Sequence, residues 1–206
     1  TLSLALKGGC FIFALDSKTG QEAWRFHTVA RPGEVGGDSW NGVPVEQRFG
    51  GALWTGGSYD PELNLVYFGT GKFLEAVDNN VSGAVTQSFY AIWDQGTGAT
   101  VPRTDLLQQQ IEVIRTNADY SLRVITNNQI NWRISSSTPP SHLGWYLDLP
   151  TTGEKQITNS ILRDDRIIFT TYIPSTTPCN PGGDGWLMEL NSLNGGRLND
   201  TFDINN

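Results

Sequence analysis

A short phrase that recurs four times along the 206-residue chain limits its fold more than any other feature. In each copy an aromatic or aliphatic strand ends in Asp or Asn, and a glycine follows a few residues later. The acidic or amide positions are Asp16, Asp94, Asp148 and Asn191, and the glycines are Gly20, Gly98, Gly153 and Gly195. A side-chain oxygen at the end of a strand accepts bonds from turn amides, and glycine allows a positive φ where the chain reverses. Each copy therefore predicts a strand followed by a tight turn.

The spacing of the copies predicts a β-propeller. Successive copies are separated by one or two units of roughly 40 to 50 residues, the length of a propeller blade. The 23 Gly, 10 Pro and 17% charged residues agree, because they suit many short strands joined by turns. We expect an all-β chain forming a partial propeller, with about four blades, or parts of blades, of four antiparallel strands each. Ordinary hairpins in a β-sandwich use the same turn chemistry and are the alternative.

Charge and cysteine content limit the possible functions. The formal net charge is -7 and no Lys/Arg cluster occurs, which argues against a nucleic-acid partner. No apolar run approaches the ~20 residues of a membrane-spanning helix. Cys10 and Cys179 are compatible with one disulfide in an exported protein or with two buried thiols. The chain opens at Thr1 in what looks like the middle of a strand, so we interpret it as a fragment or mature segment.

Motifs in the first third of the chain carry a resemblance to a known family. Residues 14–24 read ALDSKTGQEAW, residues 32–40 read PGEVGGDSW, and residues 56–71 read GGSYDPELNLVYFGTG. Together, residues 12–71 resemble the propeller of quinoprotein alcohol dehydrogenases, and the first phrase is similar to their tryptophan-docking motif. The resemblance implies a propeller of the quinoprotein-like type in which Trp24 packs against the neighbouring blade.

The rest of the chain carries a second resemblance. Its motifs are VYFGTGKFLE at 66–75, TQSFYAIWD at 86–94, GWYLDL at 144–149 and GDGWLMEL at 183–190. Residues 66–206 resemble the C-terminal propeller of PilC/PilY-type pilus biogenesis proteins, which work with type IV pili. The motifs occur in the family's order, which makes this resemblance the more specific of the two.

The two resemblances define the expected domain organisation. We expect residues 1–206 to form one partial propeller domain, with dehydrogenase-like blades over 1–65 and pilus-biogenesis-like blades over 66–206. The two resemblances meet in the strand near residues 64–72. Either the chain is a divergent propeller with mixed features, or two reading frames or genes have been joined.

The residue after the Gly-Thr-Gly at 69–71 bears on cofactor binding. The quinoprotein resemblance implies pyrroloquinoline quinone and Ca²⁺, with an Asn at this position as a calcium ligand, but this chain has Lys72. An ammonium group has no acceptor and repels a dication. No downstream segment matches the family's catalytic Asp region. We therefore expect no catalytic, cofactor-binding or metal-binding residues. A fragment of a dehydrogenase that depends on pyrroloquinoline quinone and calcium is the alternative.

Other side chains that could carry chemistry are interpreted as structural. The spacing of Glu34, Asp38 and Glu46 fits no calcium loop. His27 and His142 have no flanking Cys or carboxylate cluster, which favours surface or loop histidines over a metal pair. The seven Trp suggest either a carbohydrate-stacking surface or packing between blades, and packing is favoured.

The function implied by the pilus resemblance is a non-catalytic binding platform for pilus assembly or adhesion. The expected partners are pilins or minor pilins and a surface or host receptor. The expected location is outside the cytoplasm, in the periplasm, at the cell surface or on the pilus. The polar loops at 134–142 and 174–185 are the candidate contact surfaces, and simple solvated connections are the alternative for both.

Overall fold

The chain is built almost entirely of β-strands. The computed structural model describes residues 10–34, 36–48, 50–53, 55–71, 86–96, 98–132, 141–175 and 182–198. In order, the strands are β1 (Phe11–Leu15), β2 (Glu22–His27), β3 (Ser58–Asp60), β4 (Leu65–Gly69), β5 (Gln87–Trp93), β6 (Ala99–Thr100), β7 (Leu107–Gln109), β8 (Ile111–Thr116), β9 (Ser121–Ile125), β10 (Gly144–Leu149), β11 (Lys155–Gln156), β12 (Ile161–Arg163), β13 (Arg166–Pro174), β14 (Gly183–Asp184) and β15 (Leu187–Asn191). Three-residue 3-10 helices span Asp38–Trp40, Val45–Gln47 and Arg103–Asp105. The predicted all-β fold is confirmed.

The middle sheet contains a four-stranded antiparallel meander. Its strand order is β3, β4, β5 and β10, and β7 is added beside β10 in parallel. In the register of the central pair, Tyr90 on β5 lies opposite Phe68 on β4 and Tyr146 on β10. This meander is the four-stranded antiparallel unit expected of a blade.

Two further sheets flank the middle one. In the first sheet, β1 and β2 form an antiparallel hairpin and β6 joins β2 in parallel. In the third sheet, β13 is central and pairs antiparallel with β11, β12, β14 and β15. The strands β8 and β9 form a separate two-stranded hairpin.

The described residues form three stacked sheets and a hairpin, where about four blades or parts of blades are expected. Two of the strand pairs are parallel and so depart from purely antiparallel blades. The reason is the long segment 94–143 between the third and fourth strands of the middle meander. It contributes β6 to the first sheet and β7 to the middle sheet. Within the same segment, the stretch 105–115 starts at the end of a 3-10 helix and continues as β7 and β8.

Alternating side chains on the middle sheet bury its two faces against different neighbours. One face packs with the first sheet in a core formed by Trp24, Phe26, Phe68, Tyr90, Ile92, Val101, Leu106 and Tyr146. The other packs with the third sheet in a core formed by Leu65, Tyr67, Phe89, Ala91, Ile125, Trp145, Leu147, Leu149, Ile167, Phe169, Met188 and Leu190. The period of two along β4, β5 and β10 produces this division.

Aromatic rings pack against one another between the sheets. The ring centroids of Phe26 and Tyr90 lie 4.9 Å apart between the first and middle sheets. Those of Phe89 and Phe169 lie 4.0 Å apart, with an interplanar angle of 3°, between the middle and third sheets. No sheet could bury both faces alone, so face-to-face stacking is what makes the cores.

Candidate functional site

The first copy of the recurring phrase forms a turn closed by its acidic side chain. The Asp16 carboxylate accepts bonds from the backbone N–H groups of Lys18 and Thr19, at 3.0 and 2.7 Å. The Gly20 N–H donates to the Asp16 carbonyl at 2.8 Å, and Gly20 has a φ of +71°. Hydrogen bonds from Thr19 are the main reason that the pKa of Asp16 is lowered. Trp24, a few residues on, is buried between the first and middle sheets.

The fourth copy has the same turn and packs against the middle sheet. The Asn191 side chain accepts from the N–H groups of Leu193 and Asn194, at 2.9 and 3.3 Å. Gly195 has a φ of +70° and lies directly against the Trp145 ring, whose indole N–H donates to the Ser192 carbonyl at 3.0 Å. The turn that follows β15 in the third sheet therefore packs against the middle sheet and is hydrogen-bonded to it.

In the second copy, the acidic side chain accepts fewer hydrogen bonds from the turn than in the first. The Asp94 carboxylate accepts one described turn bond, from the Gly96 N–H at 3.0 Å. Gly98 has a φ of +72°, and its N–H donates to the Ala23 carbonyl in the first sheet. This glycine thus connects the end of the middle sheet to β2.

The third copy departs from the predicted turn. Gly153 has a φ of +80°, but the turn is closed by the Glu154 N–H, which donates to the Thr151 carbonyl at 2.9 Å. The Asp148 carboxylate accepts instead from Ser88 and Arg103, both at 2.5 Å, and from Gln108 at 3.1 Å. The described bonds of the Asp148 carboxylate therefore go to side chains of other elements, because the partly buried guanidinium of Arg103 lies within its reach.

Arg103 is the functional candidate that the sequence reasoning missed. Besides Asp148, its guanidinium donates to the Tyr90 hydroxyl at 2.5 Å and lies over the Tyr146 ring, 4.0 Å from the centroid. Burial is the main reason that the pKa of the Tyr90 hydroxyl is raised, so this group stays neutral at physiological pH. The sequence signals Arg103 only as one basic residue in a polar segment, and nothing in it specifies these partners.

The ion pair lines a cavity between the first and middle sheets. The cavity has a volume of about 310 Å³. Its lining residues are Thr28, Val29, Ala30, Gly36, Ser39, Trp40, Gly51, Thr70, Thr86, Gln87, Tyr90, Arg103 and Asp148. Segments that are far apart in the chain meet here, and this cavity is the candidate functional site.

The structure gives local partners to both candidate histidines and to Glu34. His27 Nδ1 accepts from the Arg31 guanidinium at 2.8 Å, and burial followed by the charge of Arg31 lowers the pKa of His27. His142 lies 3.1 Å from the Ser141 hydroxyl. Glu34 accepts from the Arg31 backbone N–H at 2.7 Å.

The described residues do not supply a calcium site at the cavity. Among them, no group of three or more His, Cys, Asp or Glu side chains is arranged to hold a metal ion. The cavity carboxylate, Asp148, is already bound to Arg103, whereas Ca²⁺ takes six to eight oxygen ligands. Lys72 lies outside the described residues, so the argument from this residue stays a prediction.

The structure tests the expectations about the cysteine pair, the two contact loops and a membrane-spanning helix only in part, because some of the residues lie outside the described ranges. Cys10 is partly buried and Cys179 lies outside the described residues, so their pairing stays open. Residues 134–140 and 176–181 of the two expected contact loops also lie outside them. In the part of the chain that is described, no helix is both long and apolar enough to cross a membrane.

Comparison with known proteins finds relatives of two kinds, dehydrogenases and pilus biogenesis proteins. Residues 7–84 match the family model described as "Glucose/ethanol/alcohol dehydrogenase, beta-propeller domain". An alignment of 74 positions, which covers 30% of the chain, is 44% identical to the quinohemoprotein alcohol dehydrogenase ADH-IIG of Pseudomonas putida and covers 10% of that protein.

Pilus biogenesis proteins match a larger part of the chain. A type IV pilus biogenesis factor PilY1 homolog of Xylella fastidiosa is 31% identical over an alignment of 138 positions, which covers 64% of this chain and 9% of the homolog. The crystal structure of the Pseudomonas aeruginosa PilY1 C-terminal domain matches with a TM-score of 0.56 and 28% identity, over 66% of this chain and 30% of that one. The chain thus spans about a tenth of the homolog's length. The family resemblances and the propeller-type fold predicted from the sequence are both confirmed. This chain matches the PilY1-type propeller, with a quinoprotein resemblance.

Proposed function

We propose that this chain acts in type IV pilus biogenesis as a non-catalytic binding platform. The observation that carries the proposal is the combined sequence and structural likeness to PilY1, in particular to its C-terminal domain. That likeness covers about two thirds of the chain, far more than the dehydrogenase relative covers. Pilus biogenesis is therefore the function with the broader support.

The described site supports a platform rather than a catalyst. The Asp148 carboxylate is bound to Ser88, Arg103 and Gln108, so it is not held as a free base. A general base must reach a substrate proton with its own lone pair, and an activated nucleophile needs an adjacent base. Stacked sheets with aromatic cores instead make a rigid body on which surface segments can present contacts.

The partners we propose are pilins or minor pilins and a surface or host receptor. The protein would then act outside the cytoplasm, in the periplasm, at the cell surface or on the pilus. The contact surfaces that we propose are the polar loops 134–142 and 174–185. Their composition of Ser, Thr, Pro, Asn and Gly suits exposed segments that bind through hydrogen bonds.

Deletion of the gene in its native host tests this proposal. We expect fewer surface pili in sheared fractions and reduced twitching, both restored by the wild-type gene. A gene in which the polar residues of 134–142 and 174–185 are replaced by Gly-Ser of equal length is expected to restore protein level but not piliation. Unchanged piliation and adhesion in the deletion strain would contradict the proposal.

A quinoprotein dehydrogenase is the second candidate function. It is favoured by the family-model match over residues 7–84 and by the 44% identity to ADH-IIG. Dye-linked alcohol oxidation after addition of pyrroloquinoline quinone and Ca²⁺ tests it. We expect no turnover above a no-cofactor control, whereas robust turnover would establish this candidate. Cofactor binding by Lys72→Asn but not by the wild-type chain would assign the loss to that residue.

A further inference from the structure

A second groove lies between the β8–β9 hairpin and the third sheet, and we call it the hairpin groove. It has a volume of about 360 Å³. Its apolar wall is formed by Leu122, Val124, Trp186, Leu187, Met188 and Leu198. It shares no lining residue with the cavity between the first and middle sheets, so it is a separate feature of the molecule.

The edges of two strands, rather than their faces, border the hairpin groove. Every residue of β9, Ser121–Ile125, lines it, and so does the consecutive run 186–189 at the start of β15. Successive side chains of a strand point to opposite faces of the sheet, so an unbroken run of lining residues marks a strand edge. Within the described residues, β9 pairs only with β8 and β15 pairs only with β13. Each strand therefore has one edge that is open to a further strand.

The hydrogen-bond pattern of β15 shows which of its backbone groups point to the open edge. The Trp186 carbonyl accepts from the Thr171 N–H of β13 at 2.8 Å. Residues of an antiparallel strand bond alternately to one side and the other, so the backbone N–H and C=O groups of Leu187 and Glu189 point away from β13. Unpaired groups of this kind on a sheet edge are the template on which an extended peptide pairs.

One charge of the hairpin groove has no partner among the described residues. Arg123 is bound to Glu154 at 2.6 Å, and Glu189 is bound to Arg166 at 2.7 Å. Arg197 also lines the groove, and its side chain is exposed and forms no ion pair with a described residue. The groove therefore carries an unbalanced positive charge, which favours a ligand with a carboxylate group.

We propose that the hairpin groove binds an extended apolar segment of another protein that carries a carboxylate group. The backbone of the segment pairs with the open edge of β15, its apolar side chains lie against the apolar wall, and its carboxylate accepts from Arg197. In this mode of binding the backbone bonds supply affinity, and the side-chain contacts supply preference for a sequence. The inference goes beyond the pilus function and is independent of it, because it rests only on the groove.

Fluorescence anisotropy of a labelled synthetic peptide, titrated with the 206-residue chain, tests the proposal. The probe alternates valine with threonine and ends in aspartate with a free carboxylate, so it combines strand propensity, apolar side chains and negative charge. We expect saturable binding. Two further peptides carry N-methyl groups on alternate residues, one version for each edge, and keep every side chain. At least one of them should bind roughly tenfold more weakly, because it cannot pair through that edge.

Two exposed positions of the groove provide variants that should fold. Arg197→Gln removes the unpaired charge, and Leu187→Lys places a charge on the apolar wall. Each should weaken binding of the probe roughly tenfold. The matched controls are Arg115→Gln and Ile161→Lys, which change exposed residues outside the groove and should leave binding unchanged.

Several results would overturn the proposal. They are the absence of saturable binding, binding that both N-methylated peptides retain in full, and binding that Arg197→Gln and Leu187→Lys leave intact. Sedimentation velocity distinguishes the other occupant, a second copy of this chain. If the probe does not bind and these two variants shift the chain towards the monomer, the groove belongs to a second copy and the proposal is wrong.

Discussion

Two arginine–glutamate pairs show how burial decides the contribution of a single residue to the stability of the fold. Arg123 and Glu154 join at 2.6 Å with their side chains 2% and 0% exposed, whereas Arg166 and Glu189 join at 2.7 Å with 33% and 19% exposed. The first pair connects β9 to the turn before β11, and Arg123 also lies 4.2 Å from the Trp186 ring centroid. A buried charge that loses its partner is costly, whereas a hydrated one is not.

Glu154→Gln is therefore expected to destabilise the fold by about 3–5 kcal/mol, because it leaves the Arg123 charge buried without its partner. The matched variant Glu189→Gln is expected to cost about 1 kcal/mol or less. Urea unfolding followed by tryptophan fluorescence measures both. Equal costs for the two variants would show that burial does not separate the pairs.

The same carboxylate predicts a pH dependence. Burial alone would raise the pKa of Glu154, but hydrogen bonds from Arg123 and Thr171 outweigh it and lower the pKa below the ordinary value of 4.5. A lowered folded-state pKa stabilises the fold above pH 4.5, and this contribution is lost as the pH falls through the lower folded-state pKa. Unfolding free energies measured across this acid range should fall more steeply for the wild type than for Glu154→Gln. Parallel curves would contradict this assignment.

Two glycines of the recurring phrase offer a matched test of backbone and packing effects. Gly20 and Gly195 have φ values of +71° and +70°. A Cβ at Gly20 would meet nothing within 4 Å, whereas at Gly195 it would lie 2.3 Å from the buried Trp145 ring. We expect Gly20→Ala to cost about 1–2 kcal/mol for the left-handed backbone, and Gly195→Ala about 1–3 kcal/mol more. Chemical denaturation measures the free energy of unfolding of both variants. Equal costs would contradict a packing contribution at Gly195.

At the scale of the element, the central strand β5 packs against both of the neighbouring sheets. Its successive side chains Phe89 and Tyr90 face the third and the first sheet, where they pack on Phe169 and Phe26. Neighbouring strands on both sides bury it, so its pattern reads buried from Gln87 to Ile92. A central strand of this kind shows a continuous run of buried residues, unlike a strand with one solvated face.

Phe89→Ala is expected to destabilise the protein by about 3–5 kcal/mol, because it removes a ring stacked between two sheets. Phe13→Ala is the matched control, since Phe13 lies on β1 with 44% of its surface exposed, and it should change stability by about 0.5 kcal/mol or less. Thermal and urea unfolding measure both variants. A small effect at Phe89 would mean that the stacked contact does not stabilise the sheet pair.

At the scale of the whole molecule, the stack buries inner faces and leaves outer ones exposed. Within the described residues, Phe13 and Leu15 are exposed on the first sheet, and Ile161 and Leu187 are exposed on the third. Leu187, the most exposed of the four, is 71% accessible. Apolar groups on uncovered sheet faces favour association with other molecules.

The 206-residue chain is therefore expected to self-associate as its concentration rises. A double variant, Leu15→Lys with Leu187→Lys, should shift sedimentation velocity profiles towards the monomer, because it places charge on both outer faces. Ile114→Lys, on the separate β8–β9 hairpin, is the control and should have little effect. Suppression by the hairpin variant alone would assign association to the hairpin instead.

The sequence by itself determined the all-β class and those turns whose bonds lie within the recurring phrase. Asp16 and Asn191 meet amides two and three residues away, so a short motif contains the whole interaction. The hydrophobic strands likewise carry their own period of two. In both cases the spacing of residues close together in the sequence was sufficient to predict the local structure.

Only the tertiary structure decided the strand partners and the site. The parallel additions of β6 and β7 depend on where the segment 94–143 crosses neighbouring sheets. Asp148 leaves its expected turn because it meets Arg103, which lies 45 residues earlier in the chain. The cavity likewise joins residues 28–70 to residues 86–148. These contacts exist only once the sheets have stacked, because a motif specifies its own turn but not the distant side chain that the fold brings next to it.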